Sequence, residues 1–561
     1  MRTDGFERSA NTEVLPLQRP TVGEAIVHLL EHWGVQHAFG VVSIHNMPIL
    51  DPLGRSGRIR FIPARGEAGA VNMADAYARV RGHLGVAFTS TGTAAGNAAG
   101  ALVEAITAGS PVLHITGQVE HEHLDRKRAY IHEAPAQLDM LTSVSKAAFR
   151  VTSADALITV MVKAAETALS APRGPVSVEI PVDIQAAPVE LPAELPSLVP
   201  TRPAVDESEV EALTRLLRAA RRPMLLLGGG ARGAEAEATA LADLGVGVVT
   251  STNGRGVVSE THPMSLGAFN CTPEVQSLYD TCDLLIVAGS RLRGNETWTY
   301  KLRLPAMTAV IDCDATANGR SYQNSLFVHG DVKGVLAGVV DRVAGGLGIG
   351  RSFAADLASA RARMHAKLRD GLGPYAEIVD AVQLHMPADG PWVRDVTVSN
   401  STWGNRYLRV GHSRAGVHAV GGGIGQGLPM AIGAALAAGE RAYALTGDGG
   451  LTLCLGELAT LAEEQPDITL ILMNDAGYGV IRNIQDVEYG GRHYFSNILV
   501  PDFAKVAAAL GLRHEKVSST SEFGAALDRA RAQQGAAIVE VDMIAVGPYS
   551  HVFAGPPRLA R

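Results

Sequence analysis

Short apolar runs alternate along the chain with longer stretches whose apolar residues recur at helical spacing. From Thr21 the pattern is α/β. Val22 to Trp33 places Ile26, Leu29, Leu30 and Trp33 on one helical face, and Gly34 ends it. Strand-like runs follow at Ala38–Val42, Val86–Thr89, Pro111–Thr116 and Val176–Pro181, separated by helical stretches such as Ala68–Arg79 and Asn97–Ala108. Such alternation predicts a parallel sheet covered on both faces. Pro181, Pro188, Pro192, Pro196, Pro200 and Pro203 then mark an extended linker. A second α/β unit starts at Pro223–Leu227, continues through Asp283–Gly289 and Ala309–Asp312, and closes near Leu336. A mostly helical connector leads to a third unit. The expected division is an arm (1–20), a first domain (21–185), a linker (186–205), a middle domain (206–345), a connector (346–374), a third domain (375–545) and a tail (546–561).

Composition narrows the class. With 561 residues, 47% hydrophobic and 19% charged, the chain has core material for about three domains. A formal charge of −8 without a basic run argues against nucleic acid. Cys271, Cys282, Cys313 and Cys454 show no metal spacing and read as reduced thiols of a cytoplasmic protein. Neither a signal core nor a membrane-spanning apolar stretch is expected. Gly228-Gly229-Gly230 follows a strand but lacks the full dinucleotide spacing, so a tight strand-to-helix turn competes with a nucleotide loop.

Two distant segments carry the most specific chemistry. Thr446-Gly447-Asp448-Gly449-Gly450 follows the apolar run Ala442–Leu445. Met473-Asn474-Asp475-Ala476-Gly477-Tyr478-Gly479 ends the run from Ile468. The chain between Asp448 and Asp475 suffices for one strand–helix–strand unit, and parallel strands would bring both carboxylates to one sheet edge. Two hard oxygen ligands with free backbone carbonyls suit Mg²⁺ shared with phosphate oxygens. Singly, Asp-Gly and Asn-Asp are ordinary turn residues. Together, after two strands, they favour a diphosphate site.

The pair resembles the signature of thiamine diphosphate (ThDP) enzymes, Gly-Asp-Gly followed some two dozen residues later by Asn-Asn. Asp475 stands at the second Asn position, which keeps an oxygen ligand and adds a negative charge. Gly40-Val41-Val42-Ser43-Ile44-His45-Asn46-Met47-Pro48, Arg65-Gly66-Glu67-Ala68-Gly69-Ala70, Thr91-Gly92-Thr93, Thr116-Gly117-Gln118 and Gly425-Gln426-Gly427-Leu428-Pro429 extend the resemblance from about Thr21 to Asp542. It points to the acetolactate synthase and benzoylformate decarboxylase branch. It implies three doubly wound parallel-sheet domains (pyrimidine-binding, middle and diphosphate-binding) and active sites shared between subunits of a homodimer or homotetramer.

Site roles follow from the same resemblance. Glu67 matches the glutamate that hydrogen-bonds N1′ of the aminopyrimidine; an apolar pocket would raise its pKa. The competing reading is a solvated carboxylate at a helix start. Ile424 matches the apolar residue that bends the cofactor into a V shape, or is a core isoleucine among glycines. Asp448, Asp475 and the Gly477 carbonyl are the implied Mg²⁺ ligands. Gly449 and Gly450 offer N–H groups to phosphate, and Tyr478 adjoins them. Asn400, Ser401 and Thr402 fall where phosphate contacts are expected, or form a polar loop. His45 and Gln118 are substrate-side candidates; a solvated loop histidine and a strand-end hydrogen bonder are the bland alternatives. Ser90 stands about where benzoylformate decarboxylases carry a histidine, and His551 lies in a tail that could fold over the site.

The implied reaction is decarboxylation of a 2-oxo acid through an enamine, which then releases an aldehyde or is ligated to a second carbonyl. Acetolactate synthases carry Arg-Phe-Asp-Asp-Arg near a middle-domain FAD. The comparable Ser290-Arg291-Leu292-Arg293-Gly294-Asn295-Glu296-Thr297-Trp298 lacks Asp-Asp-Arg, which argues against FAD and favours a decarboxylase over an acetolactate synthase-like carboligase. A catalytically inactive ThDP-fold protein and a generic nucleotide binder are the readings from other classes.

Overall fold

A computed structural model describes residues 19–387, 389–553 and 555. Nearly all of the expected arm, and residues 554 and 556–561 of the expected tail, lie outside the described residues. Three sheets organise the chain, each with every strand parallel to its neighbours. The first contains β1 (His37–Gly40), β2 (Arg60–Pro63), β3 (Gly85–Thr89), β4 (Val112–Gln118), β5 (Ala147–Arg150) and β6 (Val176–Pro181), ordered β2-β1-β3-β4-β6-β5. The second contains β7 (Pro223–Leu227), β8 (Gly247–Thr250), β9 (Leu284–Ala288), β10 (Thr308–Asp312) and β11 (Leu326–His329), ordered β11-β10-β9-β7-β8. The third contains β12 (Trp392–Arg394), β13 (Gly416–His418), β14 (Ala442–Gly447), β15 (Ile468–Asn474), β16 (Arg513–Val517) and β17 (Ala537–Asp542), ordered β13-β12-β14-β15-β17-β16. The expected three-fold α/β architecture is present. The first and third sheets also share one strand order, a duplication the sequence does not display.

Central strands such as β3, β4, β7 and β9 are buried along their whole length. This is why they read as continuous apolar runs rather than alternating ones. The first helix, Val22–His32, begins at a reciprocal cap: Glu24 N–H donates to Thr21 Oγ1 at 3.2 Å, and Thr21 N–H donates to Glu24 Oε2 at 2.8 Å. The helices Glu67–Arg81 and Gly427–Ala438 are buried around most of their circumference and pack on each other between the first and third sheets. Gly427–Ala438 is apolar all round and has no solvent face to present, whereas Glu67–Arg81 also buries Asn72, Asp75 and Arg79. Their approach is so close that a Cβ on Gly433 would run into the backbone of Met73.

The proline-rich segment lies along the first domain. Val189 N–H donates to Pro20 O at 2.9 Å, Trp33 Nε1 donates to Pro196 O at 2.9 Å, and Leu191, Leu195 and Leu198 pack on the first core. Gly228-Gly229-Gly230 forms a tight turn pressed against Gly289, where Gly230 N–H donates to Gly289 O at 3.0 Å. The 20-residue helix Phe353–Leu372 dominates the connector. No helix among the described residues is long and apolar enough to cross a membrane.

Candidate active site

The predicted site residues gather at two places, the carboxyl edges of the first and third sheets. In the first domain, His45 follows β1, Glu67 follows β2, Thr91 follows β3 and Gln118 ends β4. In the third, Asp395 and Asn400 follow β12, Ile424 follows β13, Asp448 follows β14 and Asp475 follows β15. In open parallel sheets ligands bind at this edge, beside the point where the strand order reverses.

The two aspartates meet. β14 and β15 are adjacent and in register, with Gly447 opposite Met473. Asp448 is buried at the start of the short helix Asp448–Leu453. Its Oδ1 accepts from Asp475 N–H at 3.2 Å, and its Oδ2 accepts from Gly477 N–H at 2.7 Å. Asp448 thereby fixes the loop that carries the other two expected ligands. Burial raises the pKa of both carboxyl groups; in Asp475 the adjacent Asp448 charge adds to this, taking it to about 7. Among the described residues one cation answers the pair: Arg482, whose Nη2 lies 3.2 Å from Asp475 Oδ1 and donates to the Asp475 carbonyl at 2.6 Å. Two mutually repelling carboxylates, one buried and one half-buried, beside a backbone carbonyl fit a divalent cation. Among the described residues no group of three or more His, Cys, Asp or Glu gathers here or elsewhere in a way that could hold a metal ion by side chains alone.

Gly449 and Gly450 are buried in the first turn of Asp448–Leu453, and the Tyr478 ring lies against Gly449. Asn400, Ser401 and Thr402 occupy a π-helical turn, Asn400–Gly404, rather than the polar loop weighed as their alternative. Such turns recur at functional sites. Asn400 is buried and its Oδ1 has no partner. Ile424 is 39% exposed on the glycine-rich loop before Gly427–Ala438.

Glu67 differs from expectation. It is half-buried at the start of its helix and accepts from Asn97 Nδ2 at 3.1 Å. The single chain does not enclose it, and Val42 and Ile44 in the loop after β1 and Met47 at the start of the next helix stand exposed. His45 is buried rather than solvated; its Nδ1 has no partner and its ring contacts His132 at 5.0 Å between centroids. Burial, aided by His132, lowers its pKa. Gln118 is locked into a buried network, accepting from Thr91 Oγ1 at 2.9 Å and donating to Glu179 at 3.3 Å. Ser90 Oγ is buried without a partner. His551 lines a cavity of about 280 Å³ with Asp475 and Arg482. A larger cavity of about 560 Å³ opens at the carboxyl edge of the middle sheet, lined by Gly229, Ser290, Arg291 and Arg293 among others.

Asp395, Arg482, Asn97 and Glu104 were not singled out from sequence. Asp395 follows a strand too short to read, with Arg394 between it and the apolar pair Trp392-Val393. The other three sit on helices, and only the fold brings them to the loops they bind.

Residues 20–140 match the N-terminal thiamine pyrophosphate-binding domain of thiamine pyrophosphate enzymes, residues 210–339 the central domain and residues 397–541 the C-terminal thiamine pyrophosphate-binding domain. A probable 2-ketoarginine decarboxylase of Pseudomonas aeruginosa is 31% identical over 94% of this chain and 96% of its own. The chain belongs to the thiamine pyrophosphate enzyme family. This ThDP enzyme is also similar to acetolactate synthase isozyme 1 large subunit of Escherichia coli (29% identical, 93% of this chain and 94% of that one). An acetolactate synthase of Arthrospira platensis is 28% identical over 94% of each chain. Full-length likeness to proteins named as a decarboxylase and as synthases favours an enzyme of 2-oxo acid decarboxylation or carboligation over an inactive or generic nucleotide-binding protein.

Proposed function

We propose that this ThDP enzyme is Mg²⁺-dependent and decarboxylates a 2-oxo acid, releasing the aldehyde. The observation that carries the cofactor part is the pairing of buried Asp448 with half-buried Asp475 at the ends of adjacent parallel strands. Asp448, Asp475 and the Gly477 carbonyl would hold Mg²⁺. Gly449 and Gly450 N–H groups and Asn400, Ser401 and Thr402 would meet the diphosphate, with Tyr478 packed beside it. Bound ThDP supplies the electron sink into which a 2-oxo acid loses CO₂. Glu67 would hold the proton shared with the aminopyrimidine, and Ile424 would set the angle between the rings. His45 and Gln118 lie on the substrate side, where the buried, neutral-leaning His45 imidazole is suited to accept or donate a hydrogen bond.

Likeness to acetolactate synthases supports carboligation as a second reading. FAD is not part of either reading, since Ser290–Trp298 lacks the acidic pair, and the purified protein is expected to lack flavin absorbance. A homodimer or homotetramer with shared sites is supported by the two separate edges. Among the described residues no hydrogen bond joins Glu67, His45 or Gln118 to Asp448, Asp475 or Asn400, and apolar Ile44 and Leu453 stand exposed beside each half. Four unpaired cysteines suit a reducing compartment, and we place the enzyme in the cytoplasm.

The deciding experiment is CO₂ release from a panel of 2-oxo acids including 2-ketoarginine and pyruvate, with and without ThDP and Mg²⁺. Cofactor-dependent CO₂ with an aldehyde product is expected. An acetohydroxy acid product would move the enzyme to the carboligases, and no CO₂ from any acid would overturn the proposal.

Asp475 gives a second prediction. With its pKa raised to about 7, it carries a proton below that pH which Mg²⁺ must displace. Mg²⁺-dependent ThDP binding should therefore tighten by up to about tenfold per pH unit as pH rises toward 7, then level off. In the metal-free chain the sign is opposite. The stability gained by protonation is complete below the ordinary carboxylate range and lost as pH rises through about 7. Asp475→Asn should keep ThDP binding and flatten its pH dependence, checked by calorimetric titration at several pH values.

A further inference from the structure

Ile424 has little local reason to hold one position. It is flanked by Gly421, Gly422, Gly423 and Gly425, and Gly422 and Gly425 have φ of +85° and +79°. Glycine-rich backbone loses more freedom on ordering than any other. A side chain that shapes a cofactor must be held to within roughly 0.5 Å. The order must come from groups outside the loop.

Two buried carboxylates supply it, one at each end. Upstream, Glu104 on the helix Thr93–Ala108 accepts from Val420 N–H and Gly421 N–H, both at 2.7 Å. Arg293 of the middle domain donates to Val420 O at 2.6 Å, and Arg79, itself paired with Asp75, lies 3.0 Å from Glu104. Downstream, Asp395 Oδ2 accepts from Gly425 N–H at 3.0 Å and Gly427 N–H at 3.2 Å, while its Oδ1 accepts from Val396 N–H at 2.8 Å. Asp395 is fully buried, and among the described residues no Lys, Arg or His side chain bonds to it. Burial raises its pKa to about 6. Gly427 and Gly450 leave the space it occupies: a Cβ at either would sit within 3 Å of its side chain. The same carboxylate thus fits between the Ile424 loop and the loop that starts at Asp448. A carboxylate buried without a cationic partner is costly to keep, and its backbone N–H donors offset that cost.

We propose that Asp395 and Glu104 form a two-ended clamp that positions Ile424 against the cofactor rings. Both are positioning residues, acting through the loop rather than on substrate. The inference rests on the reading of Ile424 as the residue that shapes the cofactor, and deepens it.

A double-mutant cycle on the full-length enzyme tests it. Ile424→Ala and Asp395→Asn are each expected to lower turnover about a hundredfold, the loss that misplacement by an ångström produces. Each should bind ThDP with Mg²⁺ within about threefold of the parent, because the Asp448–Asp475 pair is intact. The double variant should be no more than about threefold worse than the poorer single variant, since both remove one function. Glu104→Gln, in the same cycle with Ile424→Ala, reads the upstream end and carries the test if Asp395→Asn does not fold. Losses that multiply in both cycles would overturn the clamp alone. An Ile424→Ala variant with unchanged turnover would overturn both the clamp and the shaping role.

Discussion

Replacing Glu67 by glutamine is expected to remove most turnover while leaving ThDP binding in place. Glutamine matches the side chain in size and keeps an oxygen for Asn97 Nδ2, so the helix start and its one side-chain hydrogen bond survive. What it removes is a group able to gain and lose a proton at the aminopyrimidine. A positioned acid–base group contributes about 10²- to 10⁴-fold, and the expected loss lies in that range. Steady-state CO₂ release and calorimetric ThDP binding on the same preparation check it. Full turnover in the variant would sink the assigned role. Because the half-exposed carboxylate needs a second surface to be enclosed, the loss should come with no large change in thermal stability.

Asp448→Ala carries the second large effect, and here binding itself should fail. Asp448 supplies a proposed metal ligand and also receives the Asp475 and Gly477 N–H groups. Removing its carboxylate strands two backbone donors at roughly 1–3 kcal/mol each where they are buried. It also frees the loop that presents Asp475 and the Gly477 carbonyl. Mg²⁺-dependent ThDP affinity should fall by at least about a hundredfold, given that disturbing even supporting groups of a metal site costs about 10–100-fold. In the parent enzyme ThDP with Mg²⁺ should raise the unfolding temperature by mass action, and in the variant that rise should vanish. A variant that still shows the rise would remove Asp448 from the metal site.

Much of this was legible before any fold was known. The runs Ala442–Leu445 and Ile468–Met473 became neighbouring parallel strands because an apolar run bounded by glycine and aspartate has few other uses in an α/β chain. The aspartates after them consequently had to reach one edge. The three-residue strands β12 and β13 were not legible, since runs so short carry no period. With β12 went Asp395. For His45, sequence left a substrate-side role and a solvated loop histidine both open; Gly117 lets the loop settle against β4, where His45 is buried.

The sequence by itself determined the family, the three parallel-sheet units and the identity of Glu67, Ile424, Asp448 and Asp475 as candidates. These rest on local order and motif, which adjacent residues carry. The tertiary structure alone decided that the first and third sheets repeat one topology and that Asp448 organises the Asp475 loop. It also decided that Asp395 and Glu104 grip the Ile424 loop from opposite ends, and that Glu67 stands at a surface rather than in a closed pocket. Those facts depend on which backbone N–H groups meet which carboxylates, some close to thirty residues apart and others more than three hundred, and on what packing leaves exposed. No run of neighbouring residues encodes them, because they are properties of the folded distances.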